Sequence, residues 1–375
     1  MFRRWHAQRP SYLRTIALNF FASRNFSRCA GLEAKIVARS AAAAVRLDAV
    51  AAAKRVHREL DLKERVTEAG GLIDIFEVIG DLGIPLVFKP LNSALGLCLP
   101  APLRGIMVTT RRGLHIQRFT AAHELGHVVL EHAGSVDREI LERGPQPDDD
   151  DRDLQEVAAD AFAAEMMLPR WLYRHHIRAQ GWTVASHLRD PDVVYQLALR
   201  MGTSYEAACW GLLSHQILNY ADVTRLRNAP VAKIKHRLGE EHRPGSSWSD
   251  VWRLTERDNG ARLIGNPDDL LRIELDEAAG SGHQWQIEAL REAGYSVLSD
   301  QSGFSREPLH YGASSRRTLI VRPPESGIGD VTMHEAQPWA GALPDDTTFS
   351  IELALEGPEA GGMSRAARRR FGGQS

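Results

Sequence analysis

The stretch "FTAAHELGHVVLEH", residues 119–132, sets two histidines four residues apart with a glutamate beside the first. Four residues turn an α-helix through about 400°, so His123 and His127 share one face, one turn apart. Two neutral imidazoles on one face suit zinc. Glu124, next to the first histidine, is placed to take a proton from a water at the metal. The same five residues also occur by chance on ordinary helices. A catalytic zinc takes three protein ligands and leaves one position open, so the deciding question is whether a third ligand exists.

Glu156 follows His127 by 29 residues, at the start of the next helical run, "LQEVAADAFAAEMML". Asp160 comes one helical turn later. If the two helices run antiparallel, Glu156 reaches toward both imidazoles. An aspartate one turn on then accepts the free N–H of a ligand histidine and fixes its tautomer. The Glu156/Asp160 pair alone is an ordinary solvated helix face; with the histidines it becomes a metal site. The longer metzincin spacing fails, because Leu130 and Ala133 stand where that pattern needs glycine and histidine. His132 lies about 140° round an ideal helix from His127 and is expected to point away from the metal.

The chain has 375 residues, enough for two or three domains, with 43% hydrophobic and 25% charged residues and a net charge of −2. That balance excludes a chain-wide nucleic-acid or membrane-surface binder. Cys29, Cys98 and Cys209 are too widely spaced for a disulfide framework, which predicts a reducing, cytoplasmic setting. No apolar run approaches the roughly 18 residues that mark a membrane span. Residues 1–46 carry nine basic residues against a single acid, Glu33, and are expected to be a poorly ordered basic extension.

Helices are predicted over 47–69 and over "IDIFEVIGDLG", closed near Gly83. "IPLVFKPL" and "GIMVTT" predict strands, and the motif helix is expected to start at Thr120 as N-cap. Ile106–Thr109 is the expected edge strand against which an extended substrate pairs. More helix runs to about residue 220. After residue 235, "GEEHRPGSSWSD" reads as a linker over 236–265. From there the pattern changes to period two. "TFSIELAL" sets Phe349, Ile351, Leu353 and Leu355 on one face, and "VTMH" does the same for Val331 and Met333. "LLRIEL", "HQWQIEAL", "YSVLSD" and "RTLIVR" are further strand candidates. The whole predicts an α+β chain ending in an antiparallel immunoglobulin-like sandwich over 266–357 and a disordered basic tail over 358–375.

Together, "FTAAHELGHVVLEH" and "EVAADAFAAEMMLP" resemble the ImmA/IrrE family of metallopeptidases. Arg118-Phe119-Thr120 matches the family's run before the motif, and Glu156 through Pro169 matches its second run. The resemblance implies a zincin-like metallopeptidase domain over 47–235, with zinc held by His123, His127 and Glu156, Glu124 as the base and Asp160 behind a ligand. It further implies that the substrate is a helix-turn-helix transcriptional repressor, with no direct nucleic-acid contact. The opposing reading is a non-catalytic regulatory protein, in which the zinc is structural and a binding segment acts.

Two segments bear on that alternative. Residues 190–220 read as two helices around Gly202, with helix-turn-helix geometry. Their second helix is poor in basic residues, which favours packing or substrate docking over DNA reading. In the sandwich, "GSGHQW", "HYGASSRRTLIV" and "QPWAG" resemble, in order, the binding loops of chagasin-like inhibitors, and Trp285 and Trp339 are the expected partner-binding residues. The inhibitors' Asn-Pro-Thr-Thr-Gly run is absent before His283. His175 and His176 are assigned to the surface rather than to the metal.

Overall fold

The first helices form where an apolar face packs into the core: Ala49, Ala52, Ala53 and Val56 on the first, Leu62 and Val66 on the second. The long α1 (Cys29–Glu59) ends where Asp61 takes a left-handed turn, φ 48, and α2 (Leu62–Glu68) follows. The expected single helix over 47–69 is thus broken at Leu60–Asp61, and it begins earlier, inside the segment expected as an extension. Asp74 caps α3 (Ile75–Asp81), its Oδ1 accepting from Phe76 N at 3.0 Å. That helix buries Ile75, Phe76, Val78 and Ile79. The computed structural model describes residues 29–68, 71–99, 102–132, 149–246, 248–304, 315–340 and 347–372.

Strands β1 (Leu86–Lys89), β2 (Gly96–Leu99) and β3 (Gly105–Thr109) form a small mixed sheet. β1 and β3 are parallel, while β2 and β3 are antiparallel. β3 is therefore interior, which corrects the expectation that Ile106–Thr109 is an edge; β2 lies at the edge beside it. Helix α4 (Leu114–Val129) carries the metal motif across this sheet. It starts six residues before Thr120, with Gly113 in the N-cap position. Thr120 is buried inside the helix because its methyl packs against Gly96 of β2. Helix α5 (Asp149–Met167) lies along α4, and α1 lies along α5.

Pro169 ends that run and starts α6 (Arg170–Ala179). α7 (Pro191–Arg200) is capped by Asp190, α8 (Tyr205–Ser214) by Ser204 and α9 (Tyr220–Arg227) by Asn219, each side chain accepting a backbone N–H. Gly202, at φ 65, makes the turn between α7 and α8 that the sequence pointed to. Helix α10 (Val231–Gly239) completes the helical region.

The sandwich starts earlier than expected. β4 (Val251–Leu254) and β5 (Arg262–Ile264) fall within the presumed linker 236–265, yet each joins a sheet. They pair in parallel with β6 (Leu270–Glu277) and β11 (Thr347–Ala354), so the sandwich is not wholly antiparallel. The remaining strands are β7 (Gln284–Gln286), β8 (Ser296–Phe304), β9 (Ser315–Arg322) and β10 (Ile328–Ala336). One sheet runs β4-β6-β9-β8 and the other β5-β11-β10-β7. "HQWQIEAL" divides: only Gln284–Gln286 is strand, and α11 (Glu288–Glu292) follows. The alternating set Phe349, Ile351, Leu353, Leu355, Val331 and Met333 is fully buried between the sheets.

The tail also departs from expectation. β12 (Gly362–Met363) pairs antiparallel with β1, and α12 (Arg365–Gly372) packs beside α3. The basic residues that suggested disorder find acids instead: Arg370 bonds Asp81, and Arg369 bonds Glu356 at 2.7 Å. Residues 1–28 and 373–375, parts of the two terminal segments, lie outside the described residues. Among the described residues no helix is long and apolar enough to cross a membrane.

Candidate metal centre

Helix α4 sends Ala121, Ala122 and Leu125 into the core and turns His123 and His127 toward α5. The approach of the two helices depends on Gly126. A Cβ there would lie 3.2 Å from Ala159 Cα and 3.2 Å from Phe162 Cβ. With no side chain at 126, α5 comes close enough for Glu156 and Asp160 to reach the histidines.

His123 Nε2 and His127 Nε2 stand 3.1 Å apart. Glu156 places Oε2 at 3.1 Å from His123 Nε2 and Oε1 at 3.4 Å from His127 Nε2. All three groups offer a ligand atom within 4.8 Å of one another. Ligand atoms at about 2.0–2.1 Å from a tetrahedral zinc stand about 3.3 Å apart, so the donor types and spacing fit that ion. His123 Nδ1 donates to Asp160 Oδ1 at 2.9 Å, which turns Nε2 inward.

Charge follows the same geometry. Burial opposes a proton on His123, but its bonds to Asp160 and Glu156 outweigh burial and push its pKa up to about 10. Burial, reinforced by the neighbouring His123, takes His127 down to about 4. Burial raises the Glu156 carboxyl, but the His123 bond outweighs this and leaves it below the usual carboxylate range. The carboxylates of Asp160 and Glu156 thus favour the charged form of His123, while His127 is held neutral. Glu124 is buried beside the cluster, and its Oε1 lies 2.8 Å from where a Cβ on Gly96 would sit. Gly96 therefore lets the β2 edge run directly past Glu124.

His132 corrects an expectation. Its Nδ1 is 2.9 Å from His127 Nδ1, so it does not point away. The helix ends at Val129, and Glu131 adopts φ 55, so the angle of an ideal helix no longer applies. With Nε2 turned to the metal position, His127 carries its proton on Nδ1 and donates it to His132. A histidine just past the helix end was the available signal.

The other candidates separate. Trp285 is 3% exposed, and its Nε1 donates to Asp276 O at 2.9 Å. It is a core residue rather than a partner anchor. Trp339 is 74% exposed and lies against Gly282. His176 is buried rather than on the surface, and with His175 it lines a cavity facing the sandwich.

Residues 79–212 match the family model described as the IrrE N-terminal-like domain, a peptidase family. This part of the chain is similar to IrrE N-terminal-like domains. The match spans the helix with both histidines and the helix with Glu156, and it supports a peptidase acting on protein. Residues 266–353, most of the immunoglobulin-like sandwich, match the chagasin family of peptidase inhibitors. No curated protein matches the chain. Among solved structures, the cysteine protease inhibitor EhICP2 of Entamoeba histolytica shares 19% identity over 27% of this chain and 92% of its own, with a TM-score of 0.23. Amebosin has the same identity and coverage with a TM-score of 0.21. A transcriptional regulator of Mycobacterium tuberculosis shares 16% identity over 74% of this chain and 79% of its own, with a TM-score of 0.25.

Proposed function

We propose that the IrrE N-terminal-like domain is a zincin-like, zinc-dependent endopeptidase, and that its substrate is a helix-turn-helix transcriptional repressor whose cleavage relieves repression. The reading rests on one observation: His123, His127 and Glu156 offer their ligand atoms to a common point, with Glu124 buried alongside. A bound zinc supplies a Lewis acid for the scissile carbonyl and lowers the pKa of water. Glu124 takes the proton of the attacking water and returns it to the leaving amine. Asp160 and His132 hold the two imidazoles in the tautomer that turns Nε2 inward. The β2 edge, passing Glu124 at Gly96, pairs with the substrate main chain and holds it extended. In this reading Trp339 anchors a protein partner on the sandwich.

Glu124→Gln tests the assignment. It keeps the size and buried position of the side chain and removes its basicity. Zinc content is expected to stay near one ion per chain, while cleavage of a co-encoded helix-turn-helix repressor falls by at least about a hundredfold. Unchanged turnover in Glu124→Gln removes Glu124 from the mechanism. A fully zinc-loaded wild type that cleaves no candidate regulator supports a non-catalytic, binding role instead.

A further inference from the structure

In the antiparallel pair of β2 with β3, Gly96 lies opposite Val108 and Leu97 opposite Met107, which sets Leu95 opposite Thr109. Thr109 N donates to Leu95 O at 2.8 Å, so that pair is hydrogen-bonded, and alternation makes Leu97–Met107 and Leu99–Gly105 hydrogen-bonded as well. Ile106 N, between them on β3, turns the other way and donates to Pro85 O at 2.8 Å. Gly96 belongs to the intervening set on β2. Its N–H and C=O therefore point outward from the sheet, where a further strand would pair.

Side chains alternate with the same period. A Cβ on Gly96 would meet Thr120 and Glu124, so that position faces α4. Leu95, Leu97 and Leu99 therefore face the opposite side of the sheet. That side carries an apolar row. Met363, Val87, Met107 and Leu97 stand directly opposite one another from β12 to β2. Val87, Leu95, Leu97 and Met107 are only half-buried, while Met363 is 41% and Leu99 44% exposed. The row ends at β2, beside the place where the substrate main chain passes Glu124.

We propose that the substrate segment is an amphipathic strand with apolar residues at alternate positions, selected by Leu95, Leu97 and Leu99. The residue paired with Gly96 turns its side chain toward α4 and the metal position. Its two neighbours lie opposite Leu95 and Leu97 and turn to the other face, continuing the row Met363–Val87–Met107–Leu97 by one strand. The next residue of that set lies opposite Leu99. Each cross-strand apolar pair favours an apolar residue over alanine by about two- to fivefold. Main-chain pairing holds any sequence, and the alternate leucines make the choice. The inference rests on the peptidase reading above for where the substrate runs.

The test incubates the zinc-loaded full chain with a library of random dodecapeptides and locates the cut sites by mass spectrometry. Aligned on the cut, Leu, Ile, Val, Phe or Met is expected to be enriched about two- to fivefold over Ala at positions two residues apart. Leu97 lies on the face away from Glu124, so Leu97→Lys is expected to keep the wild-type zinc content. It is expected to turn one of those positions to Asp or Glu and to leave the next unchanged, because opposite charges pair across strands. Leu99→Lys, where the side chain is already exposed, is expected to do the same two residues along, and decides the matter should Leu97→Lys not fold. Cut sites without apolar enrichment at alternate positions overturn the proposal, and so does a preference in Leu97→Lys equal to that of the wild type. Immobilised Glu124→Gln, probed with the same library, separates this inference from the peptidase reading. Retained peptides that alternate, and that Leu97→Lys in the same background switches, uphold the pairing surface even if the wild type cuts nothing. Neither cutting nor retention overturns both.

Discussion

Gly126 on α4 meets Ala159 on α5 so closely that a Cβ at 126 would stand 3.2 Å from the Ala159 Cα. The approach is tight enough for a methyl to force a shift of a few tenths of an ångström, and a branched side chain would force more. Gly126→Val is therefore expected to part the helices and carry Glu156 away from His123 and His127. Zinc affinity should fall by at least about tenfold, with about 1–3 kcal/mol lost from stability through overpacking. Zinc competition with a chromophoric chelator reads the first effect and urea unfolding the second. Wild-type affinity in Gly126→Val would show that the helix spacing does not set the metal geometry.

The raised pKa of His123 gives zinc binding a definite pH dependence. His123, raised to about 10, is protonated across the neutral range in the metal-free protein, whereas His127, lowered to about 4, is not. Zinc requires the lone pair on His123 and must displace that proton. Apparent affinity is thus expected to rise with pH, about tenfold per unit from pH 7 toward the folded pKa, where the dependence flattens. Calorimetry in buffers of different ionisation enthalpy should report about one proton released per ion. Zero release would mean that the carboxylates do not hold a proton on His123.

Asp160 bonds His123 Nδ1 and His132 bonds His127 Nδ1, each on the side of the ring opposite Nε2. Asp160→Asn keeps an acceptor near His123 Nδ1 and removes the negative charge. His132→Phe keeps a ring and removes the acceptor for His127. Each is expected to weaken zinc binding by about 10- to 100-fold with little change in folded secondary structure. If His132→Phe binds zinc like wild type, the contact between the two Nδ1 atoms does not orient His127.

What was legible in the sequence was chemistry repeated at fixed intervals. The four-residue spacing of His123 and His127 and the period-two burial of Phe349, Ile351, Leu353 and Leu355 are properties of local backbone geometry, so they read directly. The misreadings share another cause. β2, β4, β5 and β12 are two to four residues long and form because a distant strand offers partners. No local pattern marks such pairing, so Val251–Leu254 read as linker and Gly362–Met363 as tail. Thr120 is a favourable cap residue by type, but its methyl is needed against Gly96, and packing overrode propensity. Trp285 read as an anchor because aromatic loops resemble binding loops, while the burial that decides its role comes from the opposite sheet.

Gln117 ties the tail to the motif helix. Fully buried on α4, its Nε2 donates to Thr109 O and to Glu359 O, both at 3.0 Å, and its Oε1 accepts from Glu359 N at 2.7 Å. One side chain thus satisfies three backbone groups drawn from the sheet and from the segment after the sandwich. Gln117→Leu leaves those groups without partners and is expected to cost about 2–5 kcal/mol, since each buried orphan costs about 1–3 kcal/mol and some relaxation follows. Arg370→Gln removes only a half-exposed ion pair with Asp81 and is expected to cost under about 1 kcal/mol. Urea midpoints of the two variants decide the matter. Equal small losses would show that charge, rather than the amide at 117, holds the C-terminal segment against α3 and α4.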